Sequence, residues 1–181
     1  MNRENLLESL KLYQPAGPKE AAEKDMIQAF VENTPTCFER IHETGGHVTG
    51  SAWIVNKDRT KVLLIHHKKI GLWMQPGGHC DGEGDVAAVA MQEVLEETGL
   101  SSATLPTEAI FDVDVHSISA LDDVPAHKHY DIRYLVEADE NEPLTIAERE
   151  LNNARWFALE DIPATGIGKS VPRMVNKTKL L

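Results

Sequence analysis

The sequence predicts an α+β protein, a mixed α/β sandwich, on three observations. From His47 onward, apolar residues alternate with period two in several short runs, which is strand patterning. One helical segment rich in Ala and Val, VAAVAMQEVLEET, sits between two groups of such runs. Helical patterning also occupies both ends of the chain. Strands, a central helix, more strands and a last helix are the makings of helices layered on a sheet.

Taken in order, Asn2 is placed to cap a helix reaching about Tyr13. Pro15, Gly17 and Pro18 interrupt it, and Pro18 suits the first turn of a second helix running to about Glu32. Asn33-Thr34-Pro35 ends that one. Residues 1–40 therefore read as a helical N-terminal extension, and 41–181 as the main domain. The extension could pack on the core or against a second subunit in a homodimer. HVTGSAWIV and KVLLIHHKK read as strands joined by the turn NKDRT. GLWMQP is a third strand or extended arm, closed by Pro76 and the turn-like pair Gly77-Gly78. Asp85 suits an N-cap and Gly99 the C′ position of the central helix. Its Ala- and Val-rich first turns would pack on a sheet and leave the acidic last turn projecting from an edge. EAIFDVDVHSI and HKHYDIRYLVEA read as antiparallel neighbours, linked by SALDDVPA of loop composition. NARWFAL is a further strand. GKSVPRMVNKTKLL is a terminal helix with Ser170 as cap and Pro172 in its first turn.

The 181 residues are 41 % hydrophobic and 26 % charged, a globular composition with room for one core. No apolar run is long enough to span a membrane, and MNRENLLESL has no secretory pattern. Cys37 and Cys80 make neither a disulfide framework nor a zinc ribbon, so a cytoplasmic home is expected. The net charge of −11 argues against tracking a nucleic-acid backbone. Lys68 and Lys69 beside His66 and His67, and the tail with Lys169, Arg173, Lys177 and Lys179, read as solvated surface. A small anionic molecule bound through a metal suits this balance better than a duplex.

The segment QEVLEETGL gathers Glu93, Glu96 and Glu97 on one helical face just before Gly99. Like charges at this spacing repel by roughly 0.2–0.5 kcal/mol per pair. Acids at a helix C-terminus meet the negative end of the dipole, at roughly 0.3–1 kcal/mol each. A hard cation such as Mg²⁺ or Mn²⁺ would reverse both penalties. Gly77 and Gly78 let backbone approach that ion or offer it a carbonyl. The plain alternative is a solvated acidic face.

The stretch GGHCDGEGDVAAVAMQEVLEETGL resembles the Nudix box, G-x5-E-x7-R-E-U-x-E-E-x-G-U, where U is a bulky aliphatic residue. Gly78, Glu93, Val94, Glu96, Glu97, Gly99 and Leu100 match, seven of the nine defined positions. The order of strands around the box is similar to that fold as well. The resemblance implies a Nudix-like α/β/α sandwich with a mixed central sheet, preceded by the helical extension. It also implies a Mg²⁺- or Mn²⁺-dependent pyrophosphohydrolase. Such an enzyme cleaves the diphosphate linkage of a nucleoside diphosphate linked to another group, or of a nucleoside triphosphate. Metal ligands would be Glu93 and Glu97, with the Gly78 carbonyl and with Glu96 as third ligand or general base. Catalytic carboxylates would be Glu96, Glu93 and, outside the box, Glu150 in ERELNNARW, which is equally readable as an ordinary loop acid. Two positions depart: Gly84 stands for the family's first Glu and Gln92 for its Arg. Losing both together leaves no unpaired charge, and Asp81, Glu83 or Asp85 could replace the acid. The departures favour a rival reading, a catalytically weak Nudix-like module that binds a nucleotide or sugar-nucleotide as a sensor; the intact glutamates oppose it.

Two strands carry an unusual polar pattern. His127, His129, Asp131 and Arg133 share one strand face, as do Asp112, Asp114 and His116, with Phe111, Val113 and Val115 on the other side. A solvent-facing strand is one reading. A substrate-pocket wall fits three histidines with paired Asp better. Arg133 would then hold a phosphate, and His116, His127, His129 and Asp131 would contact substrate, joined by His79 from within the box. A nitrogen-rich metal site from His116, His127 and His129 is a further alternative. Trp73 and Trp156 read as core residues or as stacking partners for a base.

Overall fold

One long strand organises the sheet in the computed structural model, which describes residues 2–120 and 124–181. β1 (Gly46–Asn56) runs parallel to β6 (His127–Ala138) over its whole length. Its other edge serves two antiparallel partners. The second half pairs with β2 (Lys61–His67), and the first half with β4 (Gly77–His79). β2 also pairs with β3 (Trp73–Met74) and β7 (Leu151–Ala158), while β5 (Ile110–Ile118) pairs with β6. The seven-stranded mixed sheet thus forks beside β1.

Helices cover both faces. α1 (Arg3–Leu12), α2 (Pro18–Asn33) and α3 (Val86–Thr98) share one core, in which Leu6, Leu10, Ile27, Val86 and Ala90 meet Val48, Ile54, Ile132 and Tyr134. α4 (Val171–Thr178) closes the other core with Trp53, Val55, Leu64, Leu135 and Phe157. The period-two pattern of β1 explains the division. Val48, Ala52 and Ile54 face α3, whereas His47, Thr49, Ser51, Trp53 and Val55 face the opposite way. Fully buried Trp53 donates its Nε1–H to Thr178 Oγ1 at 2.8 Å, so its one polar atom is satisfied.

Local signals do what their chemistry dictates. Asn2 accepts from the Asn5 amide at 3.0 Å, and Asp85 from the Ala88 amide at 3.1 Å. Gly99 takes the left-handed conformation (φ 74°) that ends α3. Ser170 precedes α4 but makes no side-chain cap bond, and Pro172 occupies the first turn.

Several sequence expectations need correction, among them the solvated reading of Arg173 and Lys177, which are drawn inward by ion pairs to Asp112 and Glu20. Gly77-Gly78 is part of a strand rather than a turn, because both glycines pair with β1, opposite Ser51 and Gly50. The acidic end of α3 does not project freely: Glu97 is 5 % exposed. Phe111 joins the α4 core, since a bulge between Ile110 and Asp112 re-aims it away from the side taken by Val113 and Val115. Of the linker SALDDVPA, residues 121–123 lie outside the described residues.

α3 approaches β1 closely enough that a Cβ on Gly50 would stand 2.7 Å from the Val86 carbonyl oxygen. Gly50→Ala is therefore expected to destabilise the fold by about 1–3 kcal/mol, the usual cost of overpacking. A lowered urea midpoint at unchanged slope would show it; an unchanged midpoint would mean that the helix moves away freely.

Candidate active site

The last turns of α3 pack against the glycine strand β4 and form an acidic floor beside it. Glu97 is buried and its carboxylate accepts from the Gly77 amide at 3.1 Å. Glu93, half-buried, lies directly over Gly78: a Cβ there would fall 2.0 Å from Glu93 Oε1. Gly77 is required for a different reason, since its Cβ would collide with Ser51 of β1. Glu96 is exposed and accepts a hydrogen bond from Gln92. Glu150, also exposed, precedes β7, and its carbonyl accepts from the Lys68 amide at 2.8 Å.

Electrostatics mark this group as incomplete. Burial, then the charges of Glu96 and Glu150, push the Glu93 carboxyl up to about 7. Burial raises Glu97 to about 8; the Gly77 hydrogen bond opposes the rise, and Glu93, Glu150 and Glu96 add to it. Carboxylates held near each other in a poorly solvated place with no cation among them are costly. Carboxylates beside half-buried glycine backbone are the kind of donors a hard divalent cation takes. Glu93, Glu97, Glu96 and the Gly78 carbonyl fit such an ion by chemistry.

The residue that sequence reasoning missed here is Arg40. Its guanidinium pairs with Asp81 through two nitrogens, and its charge lowers the carboxyl of Glu93. It follows α2 by several residues and belongs to no motif, so only the fold brings it to the β4–α3 loop. Asp81 thus carries an ion pair in the loop where Gly84 leaves none, while Glu83 accepts from the Asp85 amide at 2.7 Å.

On the other side of β4 the histidines come together. Adjacent strand residues point oppositely, so Gly78 faces Glu93 while His79 faces β6. His79, His116, His127 and His129 are joined by His47 of β1, which the sequence reading did not single out. The parallel register puts His47 opposite His129, and the antiparallel register puts His116 opposite His129. Burial, then the neighbouring His79, lowers His129 to about 2; His47 and His79 fall to about 4, chiefly by burial. For His47, His79 and His129 burial thus disfavours the charged ring.

Arg133 and Asp131 sit deeper on the same face and are inside rather than on a cavity wall. Arg133, 2 % exposed, points its three nitrogens at Asp131 (2.6 Å), Asp112 (2.9 Å) and Asp114 (3.4 Å). Asp131 also accepts from Thr49 and Ser51 at 2.9 and 2.8 Å. Arg173 of α4 adds bonds to Asp112, and this hydrogen bonding with the cations overcomes the desolvation that would raise that carboxyl. Trp73 packs against Phe157 and Trp156 against the α3 core.

A model of the NUDIX domain matches residues 46–176. A Xenopus laevis protein named nucleoside diphosphate-linked moiety X motif 6 is 40 % identical over 63 residues, 34 % of this chain and 27 % of that protein. The chain thus matches only about a quarter of that relative's length. A Clostridium perfringens hydrolase of the NUDIX family superposes with a TM-score of 0.55 at 23 % identity, covering 74 % of this chain and 97 % of that one. A UDP-X diphosphatase superposes at 0.53 and 14 % identity over 99 % of this chain and 96 % of that one. These last two are likenesses of fold.

The raised Glu97 carboxyl fixes the sign of a pH effect. The folded chain keeps the proton to about 8 while the unfolded chain releases it near the ordinary value of 4.5, so the stability contribution is full below 4.5 and lost as pH rises through 8. Without divalent ions, Glu97→Gln should match the parent near pH 5 and exceed it near pH 8 by roughly 1–3 kcal/mol, the cost of an uncompensated buried group. Thermal melts of both chains across that range check this. Mg²⁺ should close the gap at pH 8; a gap independent of pH would refute the assignment.

Proposed function

The chain belongs to the NUDIX family, and on that premise we propose that it is a divalent-metal-dependent pyrophosphohydrolase. The substrate class is a nucleoside diphosphate linked to another group, or a nucleoside triphosphate. The carrying observation is the acidic floor, with Glu97 buried and Glu93 half-buried against β4. The name of the Xenopus laevis relative, nucleoside diphosphate-linked moiety X motif 6, supports the substrate class.

Glu93, Glu97, Glu96 and the Gly78 carbonyl would hold Mg²⁺ or Mn²⁺. When bound, the ion neutralises diphosphate oxygens and lowers the pKa of water beside phosphorus. The chain's own part is positioning and proton transfer. Gly78 leaves room for the Glu93 carboxylate, and the Gly77 amide fixes that of Glu97. Glu96 or Glu150, both open to solvent, would accept the proton from the attacking water as a bond forms to phosphorus and the anhydride bond breaks. The Arg40–Asp81 pair would steady the loop beside them. In this reading residues 41–181 form the hydrolase domain and 1–40 an extension docked on it.

A second reading, a weak or inactive nucleotide-binding sensor, is favoured by Gln92, which makes a side-chain contact to Glu96 where the family's pattern has an Arg charge. Phosphate release over a panel of nucleoside diphosphate derivatives with Mg²⁺ or Mn²⁺ decides between them. Glu97→Gln should lower kcat by about 100-fold or more; tight binding without turnover by the parent would favour the sensor.

Gly78→Ala isolates positioning from charge. Its Cβ should displace the Glu93 carboxylate and cost up to about 100-fold in kcat/KM, with a melting temperature close to the parent's. Full activity in this variant would show that Glu93 has no fixed place in the site.

A further inference from the structure

We propose that His47, His127 and His129 form a second metal site, for a divalent transition ion of the zinc class, on the face of the sheet opposite α3. Two strands assemble it: β1 brings His47, and β6 brings His127 and His129 two residues apart on one face, while β4 sets His79 beside His129. Ligand nitrogens of His47, His127 and His129 lie within 4.8 Å of one another. His79 Nε2 stands 3.3 Å from His129 Nε2, and His127 Nε2 stands 3.3 Å from it as well. Two imidazole nitrogens at about 2.0–2.1 Å from one tetrahedral ion are separated by about 3.3–3.4 Å.

Hydrogen bonds alone do not satisfy this arrangement. An imidazole nitrogen carries one proton or one lone pair, so His129 Nε2 can make a good bond to only one of its two neighbours. His47 is 5 % exposed, and its Nε2 has no partner among the described residues. A single ion accepts lone pairs of His47, His127 and His129 together. The other ring nitrogen agrees: His127 Nδ1 donates to the Pro125 carbonyl at 2.9 Å, which orients the ring and directs Nε2 towards the cluster.

Imidazole nitrogens suit Zn²⁺, Co²⁺ or Ni²⁺ better than Mg²⁺, so this site differs in chemistry from the acidic one beyond β4. The half-buried rings of His79, His127 and His129 leave a path for the ion. Bound there, it ties β1 to β6 beside the strand that carries Gly77 and Gly78.

The test uses the full chain carrying Glu93→Gln and Glu97→Gln, so that the acidic floor contributes no binding and hydrolysis is not the readout. After chelation it is titrated with Co²⁺. One equivalent should give the intense visible absorption of a tetrahedral nitrogen-ligated ion, and Zn²⁺ should abolish that absorption and raise the melting temperature. His129→Asn or His127→Asn should weaken Co²⁺ binding by at least about 100-fold, beyond the roughly 10–100-fold loss from an outer-shell partner. His116→Asn, whose ring bonds Asp114, should stay within about tenfold. Should His129→Asn fail to fold, His127→Asn at its half-buried position carries the test. No absorption beyond that of the aqueous ion, or unchanged affinity in the His127 and His129 variants, overturns the proposal.

Discussion

Carboxylates crowded at the wrong end of a helix are the constraint on which the rest of the molecule turns. α3 ends in Glu93, Glu96 and Glu97, and the fold buries Glu97 and half-buries Glu93 rather than letting them reach water. Nothing in α3 itself offsets this, since no basic residue lies in its last turn. Two glycines in the facing strand make the crowding sterically feasible, each by the absence of a different contact. A chain that only needed a stable helix would have placed Lys or Arg there. The expenditure makes sense for a cation-binding floor.

The fork in the sheet distributes the chemistry. Because β1 pairs with β2 in one half and β4 in the other, β4 stands as a short wall with a different chemistry on each side. Glutamates occupy the α3 side and imidazoles the other, and the change of side costs a single residue, Gly78 to His79. Along the second face the strands grade from apolar under α4, through the Arg133 ion network, to the histidines. Strand alternation alone produces that gradient once β1, β6 and β5 are in register.

Much of this was legible before folding. The caps Asn2, Asp85 and Gly99, the order of strands and the box from Gly78 to Leu100 are local patterns, and local patterns survive translation into structure. The β5–β6 pairing was legible too, because both polar faces shared one period. What escaped depends on contacts distant in sequence. His47 looked like a strand residue until the parallel β1–β6 register placed it opposite His129, and nothing local encodes a parallel register. Arg40 lies between elements and gains meaning only from Asp81. Arg133 was read as a phosphate ligand because a sequence shows a charge and its strand face but not the three carboxylates that surround it. Phe111 changed sides through a bulge that no residue type announces.

The buried ion network also explains why the helices at the two ends of the chain meet. Arg173 and Lys177 of α4 enter the protein beside Asp112, where too many cations would be as costly as too few. α2 supplies the balance: Glu20 pairs with Lys177, and Glu23 with Arg173 at 3.0 Å. Tyr13, from the end of α1, adds a hydroxyl to the same group and accepts from Lys177 Nζ at 2.6 Å. α1 and α2 therefore do more than cover apolar surface. They complete the charges of a layer whose other end carries the histidines, so the N-terminal segment and the polar face of the sheet are parts of one electrostatic unit. Removing the segment would leave Arg173 and Lys177 facing a depleted set of carboxylates, and the disturbance would pass through Asp112 to Arg133, the residue that holds the strands beneath the imidazole cluster.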